Sequence, residues 1–158
     1  MRKDPLPAFN FYITFVDTSN TLGTLFTAAF DYWVAGFTEC TGLDASIEIY
    51  DYKEGGVNGY VHKFAGRASH PNIVLKHGVI TRYDDLWKWH QDWITGRGKR
   101  KDGRIILQNE ARKPAKIWRF KRGIPMKWTG PQLNASASNV AIEALEIAHE
   151  GLEMETGV

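Results

Sequence analysis

The sequence predicts a mainly β domain with one flanking α-helix, and three features of its patterning carry that expectation. Phe9, Phe11, Ile13 and Phe15 alternate with Asn10, Tyr12 and Thr14, the period-2 signature of a strand with one buried side. Ser46-Ile-Glu-Ile-Tyr-Asp-Tyr52 repeats the alternation, and Tyr60–Phe64 resumes it beyond the glycine-rich stretch Glu54–Gly59. One segment alone switches to helical spacing: Leu86, Trp89, His90, Trp93 and Ile94 fall on one face, as in a short amphipathic helix of about three turns. The 158 residues suit a single domain over 1–158.

Along the chain, the first strand runs into a turn-like stretch, Asp17–Gly23, and the aromatic-rich segment Ala29–Thr38 reads as extended. Residues 45–64 form a long hairpin whose tip is Gly55–Gly59, since clustered glycines mark a turn between two alternating runs. Asn72–His77 is a further short apolar run. The helix is predicted over about residues 82–95, with Thr81 as N-cap of a Thr81-x-x-Asp84 box and Gly96 as its stop. Two more strands follow, Arg104–Asn109 and Lys116–Trp128, the second broken near Gly123. Pro125 argues against an unbroken central strand there, because it lacks a ladder donor. Val140–Leu152 stays open at this level: its Ala, Leu and Glu favour a helix, while Val140/Ile142 and Leu145/Ile147 suit a strand with a shift between them.

Motifs for catalysis or cofactor binding are lacking, and neither an enzyme nor a cofactor is expected. Gly55-Gly56-Val57-Asn58-Gly59 lacks dinucleotide-binding spacing, and no phosphate-cradling Gly-Lys-Ser/Thr loop occurs. His149-Glu150-Gly-Leu-Glu153 follows a zinc-protease pattern only until its fifth position, where a second His is required. Cys40 is the sole cysteine, which excludes an intrachain disulfide and leaves a nucleophile only if its setting is electropositive and partly exposed. His62, His70, His77 and His90 are spread over different segments without a ligand spacing. No apolar run is long enough to span a bilayer, and Met1–Pro5 is unlike a signal peptide. Synthesis in the cytoplasm, without secretory export, is expected.

Charge is unevenly placed. Residues 1–96, 97–127 and 128–158 carry −3, +10 and −5. The run Arg97–Arg104 holds five basic residues in eight and is followed by Trp118, Arg119, Lys121 and Arg122. A nucleic-acid-binding β domain using this basic 97–127 segment is one reading; a solvated loop after a helix C-terminus, where cations are favoured, is the simpler one. If the basic and acidic blocks face opposite ends, they would orient one copy on another and make assembly salt-sensitive.

Several stretches in order complete the reading: Phe37-Thr-Glu-Cys-Thr-Gly-Leu43, Tyr52-Lys-Glu-Gly-Gly56, Pro71-Asn-Ile-Val-Leu-Lys-His-Gly78, Asp85-Leu-Trp-Lys-Trp89, Pro131-Gln-Leu-Asn-Ala135 and Val140–Leu152. From about Phe9 to Leu152 this series resembles the tail-tube family of contractile phages and phage-tail-like injection systems, which includes the tube-initiator layer beside the baseplate. The resemblance implies a β barrel or sandwich with one helix, assembled as stacked hexameric rings around a hollow lumen. It also implies that Val140–Leu152 is extended, that no cofactor or metal is used, and that the partners are further copies of the chain, sheath, baseplate and spike proteins, and lumen cargo. The long Thr18–Tyr32 segment and the basic Arg97–Arg104 loop depart from a common tube subunit and would suit an initiator. Interface residues expected on this basis are Tyr52, Lys53, Glu54, Gly55, Gly56, Asn58 and Tyr60 on the hairpin, with Arg97, Lys99, Arg100, Glu150 and Glu153 from the charge blocks.

Overall fold

The structure, a computed structural model, describes residues 8–17, 32–34, 37–79, 85–136 and 138–155. The expected turn at Asp17–Gly23, most of the Thr18–Tyr32 segment and the Thr81–Asp84 capping box lie outside them. Among the described residues ten strands and one helix follow in chain order: β1 (Phe11–Asp17), β2 (Tyr32–Val34), β3 (Phe37–Thr41), β4 (Ser46–Tyr52), β5 (His62–Ser69), β6 (Ile73–Gly78), α1 (Asp85–Ile94), β7 (Lys101–Gln108), β8 (Pro114–Thr129), β9 (Ile142–Ala148) and β10 (Gly151–Glu155). The segment left open at 140–152 is thus extended, as two strands with a break at His149–Glu150.

Eight strands form one antiparallel sheet in the order β2-β1-β7-β8-β9-β6-β3, with β10 also paired to β8. The long β8 joins its two halves. Through Lys121 and Gly123 it lies between β7 and β10, and from Ile124 to Thr129 it pairs with β9. The change of partner falls where the sequence predicts a break: Arg122 takes a left-handed φ of 53°, and register shifts flank it. Pro125 is accommodated because this half of β8 has a ladder partner on one side only and a shift beside it, where a missing N–H is tolerated. The sheet bends at β8 and brings β3 beside β1, the barrel or sandwich form expected.

Inside the bend sit Ile13 and Phe15 of β1, Ile105 of β7, Phe120 of β8, Ile73 and Leu75 of β6, and Leu145 and Ile147 of β9. The alternation read from Phe11, Ile13 and Phe15 therefore marks the core face, whose removal from water supplies the main driving force. Gly103 faces Phe120 across the β7–β8 ladder. A Cβ there would come within 2.3 Å of the Phe120 ring, so the glycine makes room for the largest fully buried side chain among the described residues.

Helix α1 closes this core with Leu86 and Trp89, which are buried; Ile94, expected on the same face, is exposed. The Trp89 ring packs 5.6 Å from that of Phe15. The helix stops at Gly96 as predicted, at φ 76°. The Gly96 N–H donates to Trp93 O and the Arg97 N–H to Asp92 O, the bond pair of a Schellman cap. Lys99 O then accepts from both indoles, Trp89 Nε1 at 2.7 Å and Trp93 Nε1 at 3.2 Å. The backbone of the basic loop is thereby pinned against the helix, while Arg97 and Lys99 stay exposed to solvent.

Candidate functional site

Strands β4 and β5 pair only with each other and project from the body as an arm. Every residue of β4 is exposed. Cross-strand partners share a face, so the register sorts the arm's side chains. Tyr50 lies opposite Phe64 and Tyr52 opposite His62, giving one face of aromatic rings that Tyr60 extends through its edge contact with His62. Ile47 opposite Ala68 and Ile49 opposite Ala65 make the other face aliphatic. Ile47, Ile49, Tyr50, Tyr52, Tyr60 and Phe64 are each 52–63% exposed. A two-stranded ribbon with apolar groups on both sides is marginal on its own in water, and exposed apolar patches are in general sites of interaction.

The tip is built for a fixed turn. Val57 N–H donates to Glu54 O at 3.3 Å, and Gly56, third in that turn, has φ 87°, as a type II turn requires. His62 Nε2 and Glu54 Oε2 are 2.9 Å apart, and Lys63 pairs with Asp51. Of the interface residues expected from sequence, Tyr52, Lys53, Glu54, Gly55, Gly56, Asn58 and Tyr60 thus lie together on the arm and its tip. Sequence reading missed Ile47, Ile49, Tyr50 and Phe64 as surface residues. Part of the signal is in the sequence, since Ile47 and Ile49 occupy one phase of β4 and Tyr50 and Tyr52 the other, so both sides of the strand carry large apolar groups.

Of the remaining five residues, Arg100, Glu150 and Glu153 take part in ion pairs elsewhere. Arg100 Nη1 reaches Glu150 Oε1 at 2.6 Å, and Arg122 Nε reaches Glu150 Oε2 at 2.7 Å. Lys121 pairs with Glu153, Arg104 with Glu155 and Arg119 with Asp102; Arg97 and Lys99 lie on the loop that leads to Arg100. The physical reason is topological: β10 lies beside β8, which sets the acidic tail against the basic centre. The expectation that the two blocks face opposite ends is therefore corrected. Five cations of the basic segment hold four carboxylates, of which Glu150, Glu153 and Glu155 come from outside it and lower its local excess from +10 to +7.

Neither Cys40 nor His149 is set up as a nucleophile or base among the described residues. Cys40 is partly buried in β3, and burial pushes its thiol up to about 12, so the nucleophilic thiolate is scarce at neutral pH. Both His149 nitrogens face backbone carbonyls, of Gly151 and Pro71. Among the described residues no group of three or more His, Cys, Asp or Glu is placed to hold a metal ion.

Comparison with known proteins agrees with this architecture. Among solved structures, a chain of the cryo-EM structure of the anti-feeding prophage baseplate, 6-fold symmetrised, superposes with a TM-score of 0.84 at 22% identity over 98% of this chain and 97% of that one. A chain of the anti-feeding prophage cap, the tube terminating cap, gives 0.81 at 23% identity over 99% and 95%. A chain of the sheath–tube complex of PVC, an extracellular contractile injection system in its extended state, gives 0.79 at 22% identity over 97% and 93%. At these identities the likeness speaks for the fold. No curated protein sequence matches the chain. The family model of the T4-like virus tail tube protein gp19 matches residues 7–153, nearly the whole chain, and the protein therefore belongs to that tail tube family.

Proposed function

We propose that the chain is the repeating structural subunit of the inner tube of a contractile injection particle. Six copies close a ring, rings stack around a hollow lumen, and contraction of a surrounding sheath drives the tube through a target envelope. The observation that carries this reading is the β4–β5 arm, apolar on both faces and exposed in the isolated subunit. Head-to-tail packing around a ring closes by symmetry and offers each arm a neighbouring copy to lie against. Tyr52, Tyr60 and the tip residues Lys53, Glu54, Gly55, Gly56 and Asn58 are assigned to that contact. Arg97, Lys99, Arg100, Glu150 and Glu153 are assigned to a rim where neighbours meet an already paired charge lattice. Sheath and baseplate proteins are the expected partners, in keeping with the sheath–tube, baseplate and cap assemblies that hold the similar chains. The subunit acts by assembly and not by catalysis; it is made in the cytoplasm and built into the particle.

Light scattering and negative-stain microscopy of the purified chain test this reading. Long stacked tubes are the expected result. A single ring that grows no further would favour the initiator layer that joins tube to baseplate. A chain that stays monomeric at high concentration, and is not recruited by sheath or baseplate proteins, would refute tube function. Because the charge blocks are paired within the subunit, assembly is expected to depend only weakly on salt.

A further inference from the structure

His149 stands where the arm's root meets the body. It lies in the turn between β9 and β10, with its ring 6.0 Å from that of Phe120 in β8. Its Nδ1 is 3.1 Å from Gly151 O, and its Nε2 is 3.1 Å from Pro71 O. Pro71 lies two residues beyond the end of β5. A carbonyl oxygen only accepts, so each contact needs an N–H on the ring, and a neutral imidazole has one. Both bonds exist together only when the ring is an imidazolium. The His70 ring lies beside it, at 5.7 Å between centroids. His70 Nδ1 donates to Asp44 O at 3.4 Å, across the two ends of the arm, and a neutral ring suffices for that bond.

We propose that His149 is a protonation-dependent clasp at the root of the β4–β5 arm. The imidazolium ties Pro71 to the β9–β10 turn. A neutral ring keeps one bond, and the part-buried one to Gly151 is retained because the exposed Pro71 carbonyl can turn to water instead. The long-range bond to Pro71 is given up. The sign follows directly: the clasp is complete in the protonated form and is lost as pH rises. The other charged or titratable groups on the converging elements are Glu146, Glu150, Lys121, Arg122, Arg100, Asp44 and His70. Of these, Glu146 accepts from Asn72 Nδ2 at 2.8 Å, and Glu150 is held by Arg100 and Arg122, so His149 is left to its two carbonyls. Any consequence for arm placement in a tube rests on the proposed function; the clasp itself does not.

Long-range 1H–15N NMR of the unassembled full chain, titrated between pH 5 and 8 where imidazoles change charge, reads the ring directly. The expected result is a ring protonated on both nitrogens at the acidic end that becomes the Nδ1–H tautomer as it titrates. Over the same step, hydrogen-exchange protection at the C-terminal end of β5 should fall about severalfold, the scale of one modest net hydrogen bond at an exposed site. In His149→Phe that protection should be low and independent of pH. If this variant does not fold, the titration of the unmodified chain decides alone. A His149 ring that stays in one neutral tautomer, or one that titrates while β5 protection stays constant, would overturn the clasp. Failure of the chain to form tubes would count against the tube reading and leave the ring measurement standing.

Discussion

Replacing Ile47 and Ile49 together with serine should cripple assembly while leaving the subunit folded. Full burial of such a side chain is worth about 1.5–3 kcal/mol relative to exposure. The two isoleucines keep 59% and 53% of their surface in the isolated subunit, so roughly half of that, about 1 kcal/mol each, remains to be gained when a neighbour covers the aliphatic face. The double substitution then removes about 2 kcal/mol from each contact, roughly thirtyfold in its association constant. The critical concentration for tube formation, followed by light scattering and microscopy, should rise by at least that factor. Thermal unfolding of the dilute subunit supplies the control, because exposed positions change stability by only about 0.5 kcal/mol each, or roughly 2–4 °C for the pair at this size. An unchanged critical concentration would refute the role given to the aliphatic face. A melting temperature that drops as for a core truncation would show that the arm packs within its own subunit, and the reasoning would fail at its first step.

Three further outcomes follow from contacts in the body of the fold. Gly103→Ala places a methyl within 2.3 Å of the buried Phe120 ring and should cost roughly 2–3 kcal/mol in denaturant unfolding; adding Phe120→Leu should recover part of that loss, and a simple sum of the two effects would argue against the clash. Trp89→Phe removes the 2.7 Å bond to Lys99 O and should cost about 1 kcal/mol, with faster hydrogen exchange in the Gly96–Arg100 loop; an unaltered loop would mean that Trp93 holds it alone. Cys40, with its thiol pushed up to about 12, should react with iodoacetamide at pH 8 roughly a thousandfold more slowly than an exposed thiol, since the thiolate is the nucleophile; rapid alkylation of the folded chain would contradict its burial.

Much of the architecture is legible in the residues themselves, and the division follows the range of the interactions. The alternation through Phe11, Ile13 and Phe15, the hairpin at 45–64, the helix around Leu86 and Trp89 and its stop at Gly96 depend on neighbours within a few positions. Propensity, periodicity and turn chemistry act at that distance. The break in β8 was likewise readable from Gly123 and Pro125, although not its use as the place where one strand changes partners. Local pattern could not choose between helix and strand for Val140–Leu152, whose leucines and isoleucines are held extended by β6 and β8. Nor could it tell that Glu150 and Glu153 would meet Arg100, Arg122 and Lys121, or that the arm would find no cover on either face. Alternation shows only that a segment has two sides. Whether a side is buried, and which charges neutralise one another, is decided by residues tens of positions away, brought near by the order of strands in the sheet.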